Sequence, residues 1–119
     1  MSTQTTGQIG ERLARQHLRS QGYQILATNW RCAEGELDIV ARQAETIVFV
    51  EVRARRAPTT ESALVSIDPR KQEQLAKLAY LYLDAHDLDS AAWRIDVIAV
   101  AIPRAGAAIV EQVVNALDW

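Results

Sequence analysis

The chain carries one cysteine, Cys32, among its 119 residues. An intramolecular disulfide and a cysteine-built zinc cluster are thereby excluded, and a lone thiol fits a reducing cytoplasm, where it reads as inert. No apolar stretch reaches the roughly 20 residues of a membrane-spanning helix. The polar opening Met1-Ser2-Thr3-Gln4-Thr5-Thr6 lacks the apolar core of a signal peptide. A cytoplasmic protein without membrane contact is the expectation. Positive charge is not in excess either, since 13 Lys and Arg stand against 15 Asp and Glu for a formal net charge of −2. A protein coated in basic residues is excluded, so any contact with nucleic acid must use a local patch. Neither an internal repeat nor a low-complexity segment is present.

Apolar residues make up 49% of the chain and charged residues 24%. That balance predicts one compact domain over residues 1–119 with a real core. Thr6 is a plausible N-cap, and Ile9, Leu13, Ala14 and Leu18 recur at helical spacing until Gly22. Gln24 to Arg31, Glu36 to Ala41 and Thr46 to Arg53 read as three strands in a meander. Ala54 to Ile67 shows no firm periodicity and reads as a mobile loop. Asp68-Pro69 starts a second helix whose buried stripe is Leu75, Leu78, Ala79 and Tyr82. Strands follow at about Arg94 to Ile102 and Ala108 to Val113. The order αβββαββ implies an α/β or α+β sandwich with a mixed sheet, because the second helix carries the chain back across it.

Chemistry concentrates at Glu51-Val52-Arg53, which closes the apolar run Ile47-Val48-Phe49-Val50. Strand alternation puts Glu51 and Arg53 on one face, and Glu36 and Asp38 on one face of the preceding strand. If those strands pair through Arg42-Gln43-Ala44-Glu45, Asp38 lies opposite or diagonal to Glu51, within roughly 5–8 Å. Two carboxylates at that spacing suit a hard divalent cation such as Mg²⁺ or Mn²⁺. Arg55 and Arg56 follow directly, and with Arg53, Arg70 and Lys71 they form the candidate patch for a phosphate backbone. Arg70 and Lys71 occupy the first turn of the second helix, where the dipole disfavours cations. They are either an anion site or simply solvated.

Other residues read as structure. His17 and His86 are helix residues outside the site, Trp30 and Trp93 cover the core, Tyr80 and Tyr82 pack the second helix, and Asp96 pairs with Arg94. Trp119 is left open between capping the core and anchoring a partner.

The stretches Gly7-Gln8-Ile9-Gly10-Glu11, Asn29-Trp30-Arg31, Gly35-Glu36-Leu37-Asp38-Ile39-Val40, Phe49-Val50-Glu51-Val52-Arg53, Lys71 and Arg94-Ile95-Asp96-Val97 span nearly the whole chain. Together they resemble the YraN-like family of uncharacterised bacterial proteins, within the restriction-endonuclease-like nuclease superfamily that includes archaeal Holliday junction resolvases. The resemblance implies a restriction-endonuclease-like core with Asp38 and Glu51 as the two metal-binding acids. It also implies Glu11 as a helical acid near the site, Glu36 as a further metal candidate, and Arg53 at the usual lysine position. In such enzymes Mg²⁺ polarises the scissile phosphate and activates a water, so the implied reaction is phosphodiester hydrolysis in branched or structured DNA. A homodimer is implied by the same resemblance, although no heptad argues for it. Arg53 departs from the pattern, because a guanidinium orients phosphate but cannot serve as a base. Three functions follow: a Mg²⁺-dependent endonuclease, a nucleic-acid-binding module without turnover, and an interaction protein whose acids are only a solvated edge.

Overall fold

The structure, a computed structural model, describes residues 3–116, so Trp119 lies outside the described residues. Its elements run α1 (Thr6–Ser20), β1 (Gln24–Cys32), β2 (Gly35–Gln43), β3 (Thr46–Arg55), α2 (Glu61–Leu64), α3 (Pro69–Ala85), β4 (Ala92–Ala101) and β5 (Ile109–Val113). Apart from α2, this is the order expected.

Helix α1 begins one residue earlier than its sequence suggests. Thr5 Oγ1 accepts from the Gln8 N–H at 3.1 Å, and the Gln8 side chain accepts from the Thr5 N–H at 2.9 Å. A cap at Thr6 would face Ile9 three residues on, which cannot return the bond. Helix α3 starts as expected, with Asp68 Oδ1 accepting from the Lys71 N–H at 2.9 Å and Pro69 in the first turn.

The five strands lie in the order β1-β2-β3-β4-β5. The first three form the predicted antiparallel meander, closed by the two-residue turns inside Cys32↔Gly35 and Gln43↔Thr46. β3 and β4 are parallel and β4 and β5 antiparallel, which makes the sheet mixed. Helices cover both faces. Leu75, Leu78, Ala79 and Tyr82 of α3 pack on Val40, Phe49 and Ile95, whereas Ala14 and Leu18 of α1 pack on Ile39, Ala41, Val48, Val50 and Ile98. Neighbouring strand residues thus serve opposite cores, and each large apolar side chain so buried contributes about 1.5–3 kcal/mol.

Two expectations need correction. The stretch from Ala54 to Ile67 is not an unstructured loop: β3 runs on to Arg55, and α2 seats Ala63 in full burial. Thr60 Oγ1 donates to Glu111 Oε1 at 2.7 Å, so a small residue and a hydroxyl dock a helix too short to show periodicity. Tyr80 is 61% exposed rather than packed, because it lies off the α3 stripe and meets only the edge of Trp93. Trp30 and Trp93 do lie against the core, edge-on to Tyr82 and Phe49 respectively.

Asp96 is fully buried on β4 and pairs with Arg94, as its spacing predicts, at 2.9 Å. Gln112 Nε2 and the Asn115 N–H also donate to it, at 2.9 and 2.8 Å, so the buried charge has a partner on each side. Among the described residues no helix is long and apolar enough to cross a membrane.

Candidate functional site

β2 and β3 pair from Gln43↔Thr46 up to Ile39↔Val50, where their ladder ends. β2 remains paired with β1 as far as Gly35, and β3 with β4 as far as Arg55. The sheet therefore forks. Asp38 and Glu51 stand one residue beyond the last pair, one on each arm, opposed as the register predicts. At the split Asp38 Oδ2 accepts from the Val52 N–H at 2.9 Å, so a carboxylate takes a donor that a regular ladder would offer to a backbone carbonyl. Val40 and Phe49 face α3, and by alternation Glu51 does so too, in contact with Lys71 of that helix.

Glu51 is only 5% exposed. Its Oε2 meets Arg53 Nη2 at 3.0 Å and Lys71 Nζ at 3.4 Å. Burial nevertheless raises its pKa to about 8, helped by the negative charge of Asp38 and opposed by the two cations. Desolvation wins because the carboxylate is enclosed while both cations remain partly in water. Arg53 keeps a buried Nε with no partner among the described residues.

The other predicted residues divide into two groups. Glu11 of α1 belongs to the acidic end of the fork, where burial first, then Asp38 and Glu36, raise its pKa. Glu36 Oε2 accepts from Arg31 Nε at 3.1 Å, across the β1–β2 hairpin. Lys71 lies at the fork, with its ammonium 3.4 Å from Glu51 Oε2. Arg55 donates to its neighbour's carbonyl, Ala54 O, at 2.8 Å. Arg56 and Arg70 are exposed, and Arg56 flanks a groove of about 590 Å³ together with Pro58, Ile102, Pro103 and Arg104. His17 and His86 lie off the site and bond Gln112 and the Tyr82 carbonyl respectively.

Sequence reasoning gave no role to Asn29. With its amide nitrogen facing the acids, an orientation assigned from the hydrogen-bond network, it donates to Glu36 Oε1 at 2.7 Å and to Glu11 Oε1 at 2.9 Å. The sequence signals were its place in the stretch Asn29-Trp30-Arg31 and its being an asparagine inside a strand, a residue depleted there. Among the described residues no set of three or more His, Cys, Asp or Glu converges tightly enough to cage a metal ion. The arrangement instead offers two opposed carboxylates, with cations on one side and further acids on the other.

A profile described as the uncharacterised protein family UPF0102 matches residues 10–100. A UPF0102 protein of Chloroflexus aurantiacus is 52% identical over 95 residues, covering 79% of this chain and 77% of its own length. One from Syntrophus aciditrophicus is 42% identical over 104 residues, covering 87% and 82%. Another, from Streptomyces griseus, is 41% identical over 107 residues, covering 89% and 90%.

Proposed function

The chain belongs to the UPF0102 family, and from that premise we propose that it is a Mg²⁺- or Mn²⁺-dependent endonuclease hydrolysing phosphodiester bonds in branched or structured DNA. The observation that carries this reading is the buried Glu51 facing Asp38 at the fork of the sheet. Burial first, and the facing negative charge of Asp38 second, raise the pKa of Glu51 to about 8, and a divalent cation would offset that negative charge. The donor chemistry fits such an ion, because both side chains offer oxygen and Mg²⁺ retains several waters rather than requiring an all-protein cage.

Asp38 and Glu51 would hold the ion, with Glu11 and Glu36 as further acids at its edge. Bound Mg²⁺ supplies charge that polarises a phosphate oxygen and makes water a usable nucleophile near neutral pH. Arg53 binds and orients the phosphate through its guanidinium and stabilises transition-state charge. Lys71 adds a second cation on the same side of Glu51. Arg55, Arg56 and Arg70 follow the backbone on either side. A homodimer accompanies this reading through the resemblance to resolvases.

A second reading, a nucleic-acid-binding module without turnover, draws on Arg53. Its guanidinium is held by Glu51 and cannot take a proton, whereas the superfamily's lysine can. The two separate in one experiment: a labelled four-way junction and a linear duplex, each incubated with Mg²⁺ and with Mn²⁺, beside the Asp38→Ala/Glu51→Ala variant. Cleavage by wild type alone is expected. Junction binding without cleavage would favour the second reading, and loss of both would remove nucleic acid from the account.

A further inference from the structure

Asn29 lies within β1 yet has φ 52, the left-handed region. Asparagine tolerates that region better than most residues, but strands rarely contain it. The β1–β2 pairing includes Thr28↔Ile39 and Trp30↔Leu37, so Asn29 takes the register position facing Asp38. Its backbone departs from the strand where β1 passes the fork. The side chain shows what the departure achieves, because its amide reaches one carboxylate on β2 and one on α1, Glu36 and Glu11.

Those two acids come from different layers. The stripe of α1 packs on one face of the sheet, whereas Glu51 meets Lys71 of α3 on the other. An ordinary strand residue would point straight to one face or the other. The left-handed Asn29 instead reaches both Glu36 of β2 and Glu11 of α1. Glu11 is repelled by Asp38 and Glu36 and attracted by Arg15 of its own helix, and the Asn29 amide adds a direct donor, its two N–H groups serving one acid each.

We propose that Asn29 is a positioning residue for the site described above: its amide holds Glu11 of α1 and Glu36 of β2 together at the fork, so that both acids stay at the edge of the ion that Asp38 and Glu51 would hold. This inference rests on the metal-dependent reading of that site. Asn29 touches neither ion nor substrate and acts through Glu11 and Glu36.

The test measures Mn²⁺ affinity by calorimetry, thermal midpoints, and the side-chain amide resonances of Asn29 by NMR. Asn29→Gly keeps the left-handed backbone free of strain and removes only the amide. It is expected to leave the midpoint unchanged and to weaken Mn²⁺ binding roughly tenfold or more, as loss of a residue supporting metal ligands does. Adding Asn29→Gly to Glu11→Gln should weaken binding far less than it does in wild type, because the amide acts through that carboxylate. Glu11→Gln and Glu36→Gln should each move the Asn29 amide signals without any metal present. Amide signals indifferent to both substitutions would overturn the clasp itself. Wild-type affinity in Asn29→Gly would overturn the positioning role while leaving the metal site standing. A wild type that binds no Mn²⁺, with the amide signals still coupled to Glu11, would sink the metal reading and the positioning role together.

Discussion

At Glu51 the surroundings favour the proton over the charge. Arg53 and Lys71 both stabilise the carboxylate, yet burial and the facing Asp38 hold its pKa at about 8, far above the ordinary 4.5. Between those two values the metal-free folded chain binds a proton that the unfolded chain has already released. Folding stability contributed by Glu51 is therefore complete below pH 4.5 and declines as pH rises, with the loss finished once pH passes about 8. Glu51→Gln mimics the protonated form and should abolish that decline. Above pH 8 the variant is expected to exceed wild type by up to about a few kcal/mol, since a tenfold change in proton affinity corresponds to about 1.4 kcal/mol. Urea denaturation from pH 5 to 9 reads the difference, and a wild-type midpoint as flat as the variant's would contradict it. The opposition of Asp38 and Glu51 was legible beforehand, because period-two alternation and a short polar connection leave few registers for two adjacent strands. Asn29 was not legible, since a left-handed residue inside a strand is imposed by what surrounds it.

Among the elements, α1 brings Glu11 to the sheet through a single close approach. A Cβ built on Gly10 would stand 2.5 Å from the Cβ of Ala54 on β3, closer than two carbons can come. Glycine inside a helix costs about 1 kcal/mol relative to alanine, so on propensity alone Gly10→Ala would stabilise. The steric conflict should reverse the sign, with a net loss of about 1–3 kcal/mol as the helix is pushed off the strand. Gly10→Ala/Ala54→Gly should recover most of it, and denaturant midpoints of the three variants decide the matter. If Gly10→Ala alone gained stability, the helix would be free to shift. This close approach also explains why the reach of Glu11 was closed to sequence reasoning: the helical period identifies a buried stripe but not how near its backbone comes to the sheet. α2 escaped notice for a different reason, since four residues are too few to display a period, and Ala63 is small enough to pass for loop. By contrast, Asp68-Pro69 announced α3 through the chemistry of its first turn, and the stripe from Leu75 to Tyr82 followed.

For the molecule as a whole, a net charge of −2 means that the proposed DNA binding would have to come from the placement of cations rather than their number. Arg56 and Arg70 are exposed, while Arg53 and Lys71 are engaged with Glu51. Replacing Arg56 or Arg70 by alanine should lower the slope of log affinity against log salt by about one for each phosphate that the arginine neutralises. Titrations of a labelled junction across a salt series measure it, and unchanged slopes would place the phosphates elsewhere. The forked sheet sets a mechanical frame around all of this. One arm is the β1–β2 hairpin, the other is β3 with β4 and β5, and the pairs from Gln43↔Thr46 to Ile39↔Val50 join them like the rivet of a pair of scissors. Any opening of the blades turns about that rivet, so displacement grows with distance from it. Gly35 and Arg55, at the tips, would travel furthest. Asp38 and Glu51, one step from the pivot, would travel least, so such an opening would alter the separation of the two carboxylates less than that of any pair further out.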